Sequence, residues 1–210
     1  FMKALKYLFV PLIALVTALS CRQNDPALQE RALELCKYIP DHSISDDAVN
    51  YLTPDFYTAL TEAWDAPDGA FPGESGESEW LYYFVTGSGG SLPHFTVESA
   101  WRTGKNRAVA TVLLGQVWEP GGEVQSERPC SLEMELCDGE WLLDDFDGIK
   151  EACRIYVKEL REKYRTGAFV TEFERYLQEH PGERDILDPE GTYASDLDAA
   201  IHRFYEIYGE

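Results

Sequence analysis

The feature that most constrains the fold is the stretch Arg128–Asp147, in which two alternating apolar patterns flank the dipeptide Asp138-Gly139. Asp-Gly is a preferred connection between antiparallel strands, because a type I′ turn needs positive φ at both central positions. The stretch is therefore predicted to form a β-hairpin. Along each of its strands, successive side chains point to opposite faces.

The turn also predicts the register of the hairpin. The predicted pairs are Cys137 with Glu140, Leu136 with Trp141, Met134 with Leu143, and Leu132 with Asp145. In this register one face of the hairpin is apolar except for a single carboxylate. Its members are Cys130, Leu132, Met134, Leu136, Trp141, Leu143 and Asp145.

The rest of the chain predicts an α+β fold. Alternation over His94–Arg102 and an apolar run over Arg107–Trp118 predict two more strands, so that four antiparallel strands follow one another. Apolar residues at helical spacing predict helices at Asp25–Ile39, Thr53–Trp64 and Ile149–Tyr164, and more helices after Thr166. The predicted architecture has N-terminal helices packed on a curved antiparallel sheet, with additional C-terminal helices. With 44% hydrophobic residues, such a chain can bury a core.

The N-terminus carries the most specific motif. Two lysines precede an apolar run from Tyr7 to Leu19, which is followed by Ser20 and Cys21. This order resembles a bacterial lipoprotein signal peptide, although the usual motif has Leu three places before Cys. The resemblance implies cleavage before Cys21, acylation of that cysteine, and a lipoprotein anchored in a Gram-negative envelope at the periplasmic or outer-membrane face. An ordinary secretory signal and an uncleaved anchor are the alternatives, and both would also export the chain.

The charge balance restricts the partners. The chain has 18 Lys and Arg against 38 Asp and Glu, a formal net charge of −20, and loss of residues 1–21 would remove two lysines and no acid. Such a chain repels nucleic acid and anionic membrane faces and favours basic partners or divalent cations. An acidic surface that serves solubility alone is the alternative.

Four cysteines follow Cys21. Cys130 and Cys137 lie on one strand, roughly 23 Å apart at ~3.3 Å per residue, which is too far for a disulfide. Cys36, Cys130 and Cys153 fall on predicted apolar faces, so one disulfide among them and buried free thiols are the two alternatives. No spacing of cysteines and histidines predicts a metal site. No cofactor is predicted either, since the glycine-rich segment 87–91 lacks the Gly-Lys-Ser/Thr ending of a phosphate-binding loop.

Two short motifs carry a family resemblance: Tyr51-Leu52-Thr53-Pro54 at a helix start, and Trp141–Asp145 in the last strand. With helices followed by a meander of strands, they resemble uncharacterised Gram-negative lipoproteins that have a nuclear-transport-factor-two-like, or ketosteroid-isomerase-like, cone domain. The resemblance implies a signal peptide at 1–21, a tether at 22–24, a cone-like domain at 25–166 and a C-terminal helical extension at 167–210. It also implies a pocket lined by Trp101, Leu132, Met134, Leu136, Trp141 and Leu143.

Cone domains of this kind serve binding in some proteins and proton transfer in others. The favoured function is a lipid-anchored envelope protein that binds a small apolar ligand, a peptide or a basic envelope protein, without catalysis. One alternative is a ketosteroid-isomerase-like enzyme with Asp145 as a desolvated general base and Tyr82 or Tyr83 as proton donors. Against it, Asp145 or Asp147 is placed to cap the helix that begins near Ile149. Another alternative is an acidic inhibitor or immunity-type protein for a basic partner.

Overall fold

The computed structural model of the protein describes residues 24–39, 44–69 and 92–209. Within them, a four-stranded antiparallel sheet follows two α-helices and precedes four more. The helices are α1 (Pro26–Leu35), α2 (Pro54–Asp65), α3 (Ile149–Thr166), α4 (Ala168–Glu179), α5 (Arg184–Leu187) and α6 (Tyr193–Tyr208). The strands pair in the order β1 (Leu92–Arg102), β2 (Arg107–Val117), β3 (Gln125–Cys137) and β4 (Glu140–Phe146). The predicted α+β class and antiparallel sheet are confirmed.

Side-chain caps begin the first two helices at the predicted places. Asp25 Oδ1 accepts a hydrogen bond from the N–H of Ala27 at 3.0 Å, and Thr53 Oγ1 accepts one from the N–H of Phe56 at 3.2 Å. A proline occupies the first helical position in both α1 and α2. Proline suits that position because its missing N–H would have no partner within the helix.

The β3–β4 hairpin forms at the predicted turn. Asp138 and Gly139 have φ of 51° and 93°, as a type I′ turn requires. The predicted pairs Cys137–Glu140, Leu136–Trp141 and Met134–Leu143 are confirmed. Beyond them Asp144 has no cross-strand partner, and the next pairs are Glu133–Asp145 and Leu132–Phe146. The predicted pair Leu132–Asp145 is therefore wrong, because this β-bulge inserts one residue into β4.

A second bulge lies in β1, where Glu98 has no cross-strand partner. A one-residue insertion moves every following side chain to the other face of the sheet. Trp101 pairs with Val109, which pairs with Glu133 in β3. Trp101 therefore lies on the face opposite to that of Leu132, and its predicted place beside Leu132 is wrong.

The core lies between the helices and the sheet face that carries Leu132. The sheet contributes Ala100, Ala108, Ala110, Val112, Leu132, Met134, Leu143 and Phe146, all buried. The helices contribute Leu28 and Leu35 from α1, Phe56 and Leu60 from α2, and Ile149, Cys153, Val157 and Leu160 from α3. These are the apolar positions that helical spacing selects in each segment, so amphipathic patterning determines which helix faces are buried.

The C-terminal helices join the same core. Phe169 of α4 and Phe204 of α6 belong to it. Arg161 of α3 donates to Glu62 Oε1 of α2 at 2.8 Å and to the carbonyl of Gly209, after α6, at 2.6 Å. The hydroxyl of Tyr208 in α6 donates to Asp65 at 2.6 Å. Residues 167–209 are thus attached to α2 and α3 by both apolar and polar contacts.

Candidate functional site

Three of the predicted site residues lie outside the described residues: Cys21, the predicted acylation site, and Tyr82 and Tyr83, the predicted proton donors. Their roles stay predictions.

The predicted pocket lining on the sheet is packed core. Leu132 and Leu143 are 0% exposed and Met134 is 1% exposed. Leu136 and Trp141, nearer the turn, are half-buried. There the guanidinium of Arg102 lies over the Trp141 ring, 5.2 Å from its centroid. This face of the sheet stabilises the fold by packing against the helices.

Asp145 caps α3. Its Oδ1 accepts hydrogen bonds from the backbone N–H of Lys150 at 2.9 Å and of Phe146 at 2.8 Å. The residue immediately before α3 is Gly148, which has no side chain to offer, so Asp145 supplies the acceptor from the end of β4. Asp145 pairs with Glu133 on the sheet face opposite to the core. The predicted cap is confirmed, and the predicted core-facing position of this carboxylate is wrong.

The bulge turns the preceding carboxylate inward instead. Asp144 is 6% exposed, and its Oδ1 accepts hydrogen bonds from Thr53 Oγ1 at 2.8 Å and from Lys150 Nζ at 2.8 Å. Such partners offset the cost of removing a charge from water. The Thr53 hydroxyl thus has two functions, since it donates to Asp144 and caps α2.

The two motifs behind the family resemblance contact each other through these residues. The N–H of Thr53 donates to the carbonyl of Leu143 at 2.8 Å, and the N–H of Leu143 donates to the carbonyl of Tyr51 at 2.8 Å. Leu52 and Leu143 form a parallel β-bridge between them. Together with the Thr53–Asp144 hydrogen bond, this bridge attaches the start of α2 to the end of β4.

Two ion pairs extend this network to the surface. Asp55 lies 3.3 Å from Lys150 Nζ and 2.5 Å from Arg154 Nη2. Burial disfavours the charged form of Lys150, but the carboxylates of Asp144 and Asp55 outweigh it and hold the Lys150 pKa above its usual value. Burial likewise opposes ionisation of Asp55, but hydrogen bonds from Arg154 and Lys150 outweigh it and lower the Asp55 pKa. Charges that are paired so closely suit stabilisation of the fold better than proton transfer.

The four cysteines among the described residues are free thiols. Desolvation by burial raises the pKa of Cys36 and Cys153 to about 12 and that of Cys130 to about 11. Burial and neighbouring acidic groups also raise the pKa of Cys137. Such thiols stay protonated at neutral pH, and the thiolate is the form that reacts or binds metal. Of the two alternatives for these cysteines, the structure has free thiols.

A cavity of about 470 Å³ lies between the segment that follows α2 and the start of α6. One wall is Pro67–Gly69, whose two end carbonyls accept hydrogen bonds from the hydroxyls of Tyr164 and Tyr193. Gly69 has a φ of 71°, and a Cβ there would lie 2.2 Å from the Phe169 ring. Two hydrogen bonds thus hold this wall in place, and any side chain at Gly69 would be strained and would clash with Phe169.

The opposite wall consists of Leu187–Glu190 and the first turns of α6. It is shaped by Asp188, whose Oδ1 accepts hydrogen bonds from the N–H of Thr192 at 2.8 Å and of Tyr193 at 3.1 Å. We call the cavity between the two walls the C-terminal pocket. Its lining includes apolar Leu187, Leu197 and Ala200 and acidic Asp68, Asp188, Glu190 and Asp196.

The C-terminal pocket combines half-buried apolar side chains with exposed carboxylates. Its volume falls within the usual range for small-molecule sites. Glu190 and Asp196 are exposed at its rim, and neither forms an ion pair with a described basic residue. The lining can therefore offer both apolar contacts and negative charge to a ligand.

Sequence reasoning missed this pocket because its walls come from segments far apart in the chain. The only local signal is the acidic turn Asp188-Pro189-Glu190-Gly191 before α6. Among the described residues, no group of three or more His, Cys, Asp or Glu side chains is arranged to hold a metal ion. Nor does any helix in these ranges have the length and apolar character needed to cross a membrane.

No family model matches the chain, and no curated protein matches it. The resemblance to lipoproteins with a cone domain therefore stays a prediction, carried by the two motifs that meet at Thr53 and Asp144.

Proposed function

We propose that this protein is a lipid-anchored protein of the Gram-negative cell envelope that holds a ligand or partner, without catalysis, in the C-terminal pocket between its cone-like domain and its C-terminal helices. The observation that carries the proposal is the pocket itself, with a volume of about 470 Å³ and a lining of apolar side chains and exposed carboxylates. The bulges at Glu98 and Asp144 support the cone-like curvature, because bulges bend the strands that contain them.

The chemistry of the rim indicates the class of ligand. Glu190 and Asp196 attract cations, and the net charge of −20 adds a long-range attraction for basic molecules. The occupant is a small amphipathic cation or a basic side chain of a partner protein. A basic side chain as the occupant also fits an acidic inhibitor or immunity-type protein, because such a protein would bind its basic partner through the same carboxylates.

Proton transfer by Asp145 is not supported by the geometry. Its Oδ1 already accepts hydrogen bonds from Phe146 and Lys150. The carboxylate also lies on the sheet face opposite to the packed core, whereas the predicted general base needs a desolvated position on the core face.

Binding can be tested by calorimetric titration of the purified full chain with phenethylamine and with its neutral analogue 2-phenylethanol. We expect the amine to bind more tightly than the alcohol. We expect Glu190→Gln with Asp196→Asn to weaken binding of the amine but not of the alcohol, by roughly 0.2–1 kcal/mol per exposed carboxylate. Glu172→Gln with Asp185→Asn removes the same charge outside the pocket and serves as the matched control. The proposed binding chemistry would be contradicted if the amine and the alcohol bound equally well, or if neither of them bound.

The anchor is tested by labelling cells with radioactive fatty acid. We expect label on the wild-type chain and none on Cys21→Ala. Equal labelling of the two proteins would rule out acylation at Cys21.

A further inference from the structure

A second cavity lies beside the C-terminal pocket and shares Leu197 with it. It has a volume of about 140 Å³ and lies between the end of α3, the start of α4 and the first three turns of α6. At ~30 Å³ per water molecule, it has room for roughly five small groups. We call it the α3–α6 cavity. Its aliphatic and aromatic lining consists of Tyr164, Phe169, Val170, Ala194, Leu197 and Ile201.

Lys163 brings a positive charge to this cavity. Its ammonium lies over the Phe169 ring, 4.8 Å from the centroid, and the residue is half-buried. Acidic residues outnumber basic ones by 38 to 18 in the chain, yet the Lys163 side chain forms no ion pair with any described residue, not even with Glu159 one turn earlier. A contact with an aromatic face replaces only part of the hydration that a half-buried ammonium loses. Lys163 therefore keeps the capacity to bind an anionic group.

Asp198 brings the opposite charge to the same cavity from α6. Its side chain is exposed, and it forms no ion pair with Lys163 or with any other basic residue in the part of the chain that the structure describes. Two opposite charges that line one small cavity without contacting each other leave space for a ligand between them.

The lining of the α3–α6 cavity holds no third charge. Among the neighbouring charged residues, Glu162 pairs with Arg165 at 2.6 Å, and His202 lies 3.5 Å from Glu206. None of these four residues lines the cavity. A ligand there meets one positive charge, one negative charge and apolar walls.

We propose that the α3–α6 cavity binds a small apolar α-amino acid. The ligand carboxylate binds the Lys163 ammonium, the ligand ammonium binds the Asp198 carboxylate, and the ligand side chain packs on the apolar walls. A zwitterion fits because each of its charges meets an opposite one, whereas a simple anion would also meet Asp198 and a simple cation would also meet Lys163. The site needs neither the lipid anchor nor an occupant of the C-terminal pocket.

The test follows methyl signals by NMR in the purified full chain, labelled with ¹³C at its valine and isoleucine methyl groups. Val170 and Ile201 line the α3–α6 cavity but not the C-terminal pocket, so their signals report on this site alone. The signals are identified by their loss in Val170→Ala and Ile201→Val. The chain is titrated with L-alanine, with propionate, which lacks the ammonium, and with ethylamine, which lacks the carboxylate. We expect L-alanine to bind about two- to five-fold more tightly than either analogue.

Substitution of Lys163 tests the contact with the ligand carboxylate. Lys163→Gln should weaken binding of L-alanine by about two- to five-fold and should not weaken binding of ethylamine, which has no carboxylate to lose. If Lys163 served the packing of the cavity alone, the substitution would weaken both ligands alike. Lys158→Gln makes the same charge change at an exposed position of α3 outside the cavity, and it should leave both affinities unchanged.

Substitution of Asp198 tests the contact with the ligand ammonium. Asp198→Asn should weaken binding of L-alanine and ethylamine by a similar factor and should not weaken binding of propionate. Asp185→Asn, at an exposed position of α5, is the matched control and should change none of the three affinities.

Three results would overturn the site. The first is that L-alanine shifts neither the Val170 nor the Ile201 signal at any concentration that leaves the protein folded. The second is that L-alanine binds no more tightly than propionate and ethylamine. The third is that Lys163→Gln acts like Lys158→Gln, or that Asp198→Asn acts like Asp185→Asn.

Discussion

At its turn, the β3–β4 hairpin keeps the pairing predicted from Asp138-Gly139, whereas at its other end Asp144 has no cross-strand partner and the register moves by one residue. The surroundings of the two ends also differ. Leu136, one residue from the turn in its strand, is half-buried, while Leu132 near the bulge is 0% exposed. The turn end depends on two residues with a local preference for positive φ. The bulge end depends on contacts from outside the hairpin.

Those contacts come from two different helices. Thr53 at the start of α2 and Lys150 in the first turn of α3 both hydrogen-bond to Asp144. The bulge is therefore stabilised by tertiary interactions, and the turn is stabilised by local conformation. Substitutions at the two ends should affect stability to different extents.

The largest difference is expected for the same substitution at the two leucines. Leu132→Ala should lower the free energy of unfolding by about 2–5 kcal/mol, because it leaves a cavity in the core. Leu136→Ala should cost less than about half of that, since its side chain is already partly hydrated. Urea unfolding of both variants measures this, and equal losses would show that the turn end is as tightly packed as the bulge end.

Next in size is the loss of the buried carboxylate. Asp144→Ala should cost roughly 2–3 kcal/mol, because it leaves the Lys150 ammonium, 14% exposed, with only the partly exposed Asp55. Combining it with Thr53→Val in a double-mutant cycle should give a coupling energy of about 1 kcal/mol. A loss below about 0.5 kcal/mol would mean that the bulge does not depend on this network.

A smaller effect is expected at the α3 cap. Asp145→Ala removes the acceptor for the N–H of Lys150 and should cost about 1 kcal/mol. Asp138→Asn, at the turn end, is the control and should stay within about 0.5 kcal/mol, since asparagine is also favoured at positive φ. Thermal unfolding measures both variants. A larger loss of stability for Asp138→Asn than for Asp145→Ala would contradict the role of Asp145 as the α3 cap.

The smallest effect is expected at the exposed end of the network. The Asp55 side chain is 60% exposed, so Asp55→Asn should cost less than about 1 kcal/mol at neutral pH. Because the Asp55 pKa is lowered in the folded state, its contribution is fully present above the ordinary value of 3.8 and is lost as pH falls through the lower folded value. The difference in free energy of unfolding between wild type and Asp55→Asn should therefore shrink as the pH falls. A difference that grew on acidification would contradict the prediction.

Much of the fold was predictable because its signals are local. Asp25 and Thr53 mark helix starts, and Asp138-Gly139 marks the hairpin turn. The faces of Trp101 and Asp145 were not predictable in this way. Each follows a bulge in its strand, and simple alternation assumes that no residue is inserted.

The C-terminal pocket was not predictable either. Its walls, Pro67–Gly69 and Leu187–Glu190, are more than a hundred positions apart in the sequence and meet only because the C-terminal helices pack on α2 and α3. Neither segment has the spacing of a ligand-binding motif. Apart from the acidic turn before α6, the sequence contains no sign of the pocket.

The starts of α1 and α2, the four strands and the positive φ angles of the turn follow from the amino-acid sequence alone, since side-chain periodicity and φ preference act over a few neighbouring residues. Whether Asp144 or Asp145 has the buried carboxylate depends instead on tertiary contacts. A carboxylate leaves water only where hydrogen-bond donors replace its hydration. For Asp144 those donors are the hydroxyl of Thr53 and the ammonium of Lys150, which only the folded chain brings to the same point.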